Sequence, residues 1–192
     1  MNYYEDNGIF QELIKIFENS NKTFILKNIH LLEYEISERS LCGALMKSLS
    51  DELRETKFKS YHVDIEYNRN NGGMLKTILD PTKLLEFKII NITCDLIIHS
   101  RGENVTNDNL IALEMKKSNR PKKDKISDKE RLICLTKSSY DNDVWSYDGA
   151  TFPEHVCRYI LGIYYEIDFD KRVICIEYYR NGRKVEEKFL KF

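Results

Sequence analysis

An acid and a base stand side by side where an apolar run of this chain ends. The stretch NLIALEMKKS, residues 109–118, passes from Leu110 through Leu113 to the carboxylate of Glu114 and, two positions on, the ammonium of Lys116. Alternate residues of a strand share a face, so Glu114 and Lys116 point one way and Met115 points back to the core. Glu-x-Lys also occurs at Glu55 with Lys57, at Glu86 with Lys88 and at Glu186 with Lys188, but the first lies in a charged stretch, the second at the start of an apolar run and the third in a charged tail. Only the Glu114 pair follows a second apolar segment, ITCDLIIH at 92–99, that is broken by a single acid, Asp95. An ionised carboxylate in such a run is costly unless it is paired or binds a metal.

If 92–99 and 109–116 form an antiparallel hairpin, Asp95 shares a face with Glu114 and Lys116 only when the numbers of paired residues sum to an odd value such as 209 or 211. An even sum puts Asp95 on the opposite face and removes the site. Two converging carboxylates repel, and a hard divalent cation bound through their oxygens relieves the repulsion. Mg²⁺ is the expected ion, and Mn²⁺ can substitute for it. Such an ion activates water and neutralises charge on an attacked phosphodiester, while a neighbouring lysine orients the nucleophile or steadies the phosphorane-like state. The chemistry is metal-assisted hydrolysis. The structural alternative is a cross-strand salt bridge at a solvated strand end, worth little energetically.

These residues need elements to hold them. GIFQELIKIF at 8–17 has helical spacing and predicts a short helix, whereas TFILKNIHLLEYEI at 23–36 suits a strand or a helix. Ser37 is a candidate N-cap, and Leu41, Leu45, Leu49 and Leu53 recur every fourth position, which predicts a helix of about four turns from Glu38. YHVDIEYNRN at 61–70 alternates as a strand. KLLEFKIINITCDLIIHS at 83–100 forms one long strand or two, and LIALEMK forms the next. SNRPKKDK reads as a basic loop, followed by a helix over 127–138 capped by Ser127. Strands at 157–167 and 172–180 are joined by a tight DFDK turn, and Asn181-Gly182 suits a type I′ hairpin. This order predicts an α/β fold, a mixed central sheet flanked by helices, in one domain over residues 1–192.

CDLIIH, a loop, then LIALEMK together resemble the signature of the PD-(D/E)xK nuclease superfamily, and VDIEYNRN is similar to small bacterial members of it. The resemblance implies a restriction-endonuclease-like core of helix, three-strand meander, helix and strand, matched by about residues 38–166. It implies that Asp95 and Glu114 are metal-binding acids, that Lys116 is the catalytic lysine, and that Glu38 is an additional metal ligand from the first helix. Cys94 stands where the name-giving pattern has proline. The substrate implied is nucleic acid, with DNA expected first, and a homodimer would suit cleavage of both strands.

Around this set, Glu66, Asn68 and Arg69 are candidates for supporting the metal ligands from behind or contacting substrate phosphates, although a polar strand end would look the same. Lys117 begins the run KKSNRPKKDK, which could grip a phosphate backbone or be a solvated loop. His99 and Arg101 read as solvated loop residues, Asp128 as a helix cap, and the tyrosines as strand residues packing on the sheet. A net charge of −1 excludes a global basic field, so any polyanion site must be local. The five cysteines follow neither zinc nor disulfide spacing, and no stretch is long and apolar enough for a bilayer. With no leader pattern at the start of the chain, a cytoplasmic protein without a membrane partner is expected.

Overall fold

A computed structural model of the chain describes residues 3–67, 77–79, 89–91, 93–104, 107–137 and 158–192. Asn68 and Arg69 lie outside them, as does Cys157. The chain opens with two helices, α1 (Tyr3–Glu33) and α2 (Glu38–Leu53). Strand β1 (His62–Ile65) follows, then β2 (Thr77–Leu79), β3 (Ile89–Asn91), β4 (Leu96–His99) and β5 (Asn109–Lys117). Helix α3 (Lys122–Thr136) leads to β6 (Leu161–Asp168), β7 (Val173–Arg180) and β8 (Arg183–Lys191). Six strands form a mixed sheet in the order β1-β4-β5-β6-β7-β8, while β2 and β3 form a separate antiparallel pair. Among the described strands only β5 and β6 run parallel, and α3 makes the crossover between them. Among the described residues, no helix is long and apolar enough to cross a membrane.

The two sheet faces are covered differently. Leu41, Leu45 and Leu49 of α2, with Leu13, Phe17 and Phe24 of α1, bury one face together with Leu96, Ile98, Ile111, Leu113, Met115 and Ile163. Leu132, Cys134 and Leu135 of α3 bury the other with Ile97, Ala112, Tyr164 and Tyr179. In register with the strand alternation, Glu114 and Lys116 belong to the α3 face.

Two expectations need correcting. The segment 23–36, which suited a strand or a helix, is helical to Glu33, and the expected short helix at 8–17 lies in the first half of a 31-residue one. Its apolar positions find partners on α2 and the sheet, and that burial outweighs the local strand preference of its β-branched residues. The helix kinks at Asn28 (φ −128°, ψ 27°), whose side chain donates to the Phe24 carbonyl at 3.0 Å. Helix α3 begins at Lys122 after Pro121, not at Ser127. Proline at a helix start loses only an amide that would lack an intrahelical partner anyway, so Lys122 to Lys125 of the expected basic loop form the first turn. Helix α2 itself starts at Glu38 with Ser37 accepting from the Ser40 amide at 3.2 Å, and Asn181 (φ 50°) and Gly182 (φ 72°) form the two-residue turn between β7 and β8.

Close approach of α3 to the sheet depends on Gly162 of β6. A Cβ there would meet Thr136 Cγ2 at 2.8 Å, Tyr179 Cβ at 3.0 Å and Leu132 Cβ at 3.6 Å. Gly162→Ala is therefore expected to cost about 1–3 kcal/mol by overpacking, measured by urea unfolding. An unchanged midpoint would show that α3 can shift freely, and with it the polar side chains it presents to the sheet.

Candidate active site beneath helix α3

The β4–β5 pairs Leu96↔Leu113, Ile97↔Ala112 and Ile98↔Ile111 have residue numbers summing to 209. Continued by one position, this register sets Asp95 opposite Glu114. The Asp95 carboxylate accepts from the Met115 amide at 2.8 Å, and its carbonyl accepts from the Glu66 amide at 3.3 Å, so Asp95 is fixed between the ends of β1 and β5. Glu114 is 1% exposed, and its Oε1 accepts from Arg131 Nη1 of α3 at 2.6 Å. Lys116 places Nζ 2.8 Å from Asp128 Oδ2, and Asp128 Oδ1 lies 3.5 Å from Arg131 Nη2. From the first turn of α2, Glu38 accepts the Lys117 amide at 2.9 Å and Arg120 Nε at 3.0 Å.

Glu38, Asp95, Glu114 and Lys116 thus converge at the end of β5 and interact electrostatically. For Lys116, burial lowers the ammonium, but Asp128 and the charges of Asp95 and Glu38 outweigh it and hold it above its ordinary value. For Asp95, burial dominates and raises the carboxyl, opposed by the Met115 amide and Lys116 and reinforced by Asp128 and Glu38. Burial also acts to raise Glu38, yet the Arg120 hydrogen bond, the Lys117 amide and Lys116 together hold it below the usual carboxylate range.

Burial is the largest influence on Glu114 and pushes it from 4.5 to about 8; Arg131 pulls it down, and Asp95 and Asp128 push it further up. Because this folded-state value lies above the unfolded one, the folded protein holds the extra proton between them. The resulting penalty is absent below pH 4.5 and fully developed above about pH 8. Asp95, also raised, acts in the same direction. Urea midpoints of the metal-free protein should therefore fall as pH rises from about 5 to 8, and Glu114→Gln should flatten the decline. A parent whose midpoint rises across that window would contradict the burial assigned to Glu114.

The donor set suits a hard divalent cation: two register-paired carboxylates in a buried setting, a third from α2, all oxygen ligands. In this arrangement, however, Arg131 already meets Glu114, Arg120 meets Glu38, and the Met115 amide meets Asp95. Among the described residues, the group of three possible ligands whose atoms lie within 4.8 Å of one another is Cys175, Glu177 and Glu187, not Glu38, Asp95 and Glu114. That other group sits on β7 and β8, where Glu177 is already bound by Lys129 at 2.7 Å and by the Tyr179 hydroxyl at 2.5 Å.

Other expected contacts fall elsewhere. Glu66 is exposed and pairs with Arg39 at 3.3 Å. Lys117 faces away from Lys116, donating to the Glu35 carbonyl at 2.8 Å with its ammonium 5.2 Å from the Phe169 ring centre. His99, expected in a solvated loop, is buried at the end of β4 with Nε2 2.9 Å from Asp64, which Arg101 also holds through two hydrogen bonds of 2.8 and 2.6 Å. Asp128 is not a cap but a buried residue in the second turn of α3. Asp128 and Arg131 were the residues missed. With Leu132 and Leu135 they occupy one helical stripe, so a charged pair on an apolar face was the signal, obscured by starting the helix at Ser127. Compared with protein-family models, curated proteins and solved structures, the chain matches none.

Proposed function

We propose that this protein is a divalent-metal-dependent phosphodiesterase acting on nucleic acid, with DNA the substrate to test first. The observation that carries the reading is the 209 register, which sets Asp95 and Glu114 together on the face that Lys116 shares. With the separate β2–β3 pair taken as an insertion between β1 and β4, the order α2, β1, β4, β5, α3, β6 is compatible with the helix, meander, helix and strand of a restriction-endonuclease-like core. The thiols of Cys42, Cys94 and Cys134, buried in the core, suit a reducing cytoplasmic setting.

In this reading Asp95 and Glu114, with Glu38 as a third carboxylate, hold Mg²⁺ or Mn²⁺, which supplies Lewis acidity toward the scissile phosphate. Lys116 is held in its charged form by Asp128 and directs its ammonium at the attacking water or the phosphate oxygens, where negative charge develops. The Met115 amide fixes the Asp95 carboxylate and so sets the angle it presents to its neighbour.

A second reading, a catalytically silent nucleic-acid- or protein-binding module, has its own support: Arg131 on Glu114 and Arg120 on Glu38 satisfy the acids without any metal. The deciding experiment offers single-stranded and duplex DNA and RNA to the purified chain with Mg²⁺, Mn²⁺ or EDTA. Cleavage that requires the metal supports the phosphodiesterase; binding without cleavage under all metal conditions favours the silent module.

A further inference from the structure

We infer that Arg131 is a resident counter-cation, an α3 guanidinium that occupies the Glu114 carboxylate in the metal-free protein and must leave it before a divalent ion can be held there. This rests on the metal-dependent reading above. Its basis is the packing of α3 on the sheet. Glu114 has almost no solvent access, so in its ionised form it needs a protein cation or a metal beside it, and Arg131 Nη1 already stands 2.6 Å from its Oε1. Both cannot take the same oxygen.

The geometry also supplies a place for the displaced guanidinium. Arg131 is 24% exposed, and its Nη2 already stands 3.5 Å from Asp128 Oδ1, one helical turn back. Release from Glu114 therefore needs a side-chain rotation toward a carboxylate it already touches, not a movement of the helix. Asp128 also holds Lys116 at 2.8 Å, so the side chain that would receive Arg131 is the one that positions the candidate catalytic lysine. Metal loading, the position of Arg131 and the hold on Lys116 are coupled through Asp128.

A structural salt bridge makes a different prediction from a placeholder. If Arg131 merely stabilises Glu114, its removal leaves metal affinity unchanged or weakens it through local disorder. If it competes, removal frees a ligand and tightens binding. Calorimetric titration with MnCl₂ of the parent and of Arg131→Gln is expected to show affinity raised about tenfold, the change that roughly 1.4 kcal/mol of relieved competition produces. Arg131→Lys, which keeps a cation on the same stripe but loses the planar fork, should fall between them and serves as the well-folded comparison if the glutamine variant has a lowered melting temperature. In Glu114→Gln and in Glu114→Gln/Arg131→Gln the tightening should vanish, which locates the competition at Glu114. A parent that binds Mn²⁺ while neither Arg131 variant binds it more tightly overturns the inference and leaves the phosphodiesterase reading standing. Absence of Mn²⁺ binding in the parent and in every variant overturns the metal reading itself, and the inference with it.

Discussion

Lys116→Ala is expected to lower Mg²⁺-dependent cleavage by about a thousandfold, the scale on which one positioned charge-stabilising group contributes to a transition state. It is not expected to be neutral for folding. A strand-end lysine in solvent would contribute little, but Lys116 is 17% exposed and lies 2.8 Å from an Asp128 that is 7% exposed. Removing it leaves Asp128, among the described residues, with the longer Arg131 contact, at a cost of about 1–3 kcal/mol. Asp128→Asn in the same chain removes the stranded charge, so the double variant should recover most of the lost stability and none of the activity. Lys117→Ala, which cuts contacts to Glu35 and Phe169 on the opposite face, should change cleavage far less. Single-turnover cleavage assays and urea unfolding of the four proteins separate these effects. Full activity in Lys116→Ala would remove the residue from the chemistry.

Asp95→Asn is expected to abolish Mn²⁺ binding and turnover while raising the melting temperature of the metal-free protein. The Asp95 carboxyl is destabilised chiefly by burial and further by the charges of Asp128 and Glu38, and it in turn raises Glu114. Asparagine keeps an oxygen to accept the Met115 amide and loses the repulsion. For a chain of this size each kcal/mol recovered corresponds to about 2–4 °C. Mn²⁺ should then give no further thermal shift, because a neutral amide is a poor ligand for a hard cation. The two readouts move in opposite directions, so a variant damaged in folding cannot imitate the result. A melting temperature that falls, or a Mn²⁺ shift equal to the parent's, would show that Asp95 has a structural role in place of a metal-binding one.

Local sequence determined which residues of β4 and β5 could share a site. An apolar run interrupted once by Asp95 and another ending at Glu114 and Lys116 is a period-two signal. Which register holds was not legible in it: helices cover both faces of these strands, so alternation alone does not choose between odd and even sums, and the assembled sheet sets 209. The cap at Ser37 and the four-residue leucine spacing likewise determined α2 and put Glu38 in its first turn, because both are interactions within a few residues. The Asn181-Gly182 turn was legible for the same reason, since the backbone conformation it needs is set by those two residues alone.

Tertiary structure decided what surrounds that site. The segment 23–36 had no helical commitment of its own and became helix through burial of Phe24 and Leu32 against the rest of the core. The start of α3 turned on Pro121 against Ser127, two competent local signals six positions apart; the packing of Leu132, Leu135 and Gly162 brought the longer helix onto the sheet. Asp128 and Arg131 followed it inward, where they meet Lys116 and Glu114 from 12 and 17 positions away along the chain. Such pairings depend on which face a helix presents to which strands. That is a property of the assembled layers, and no short window of sequence contains it.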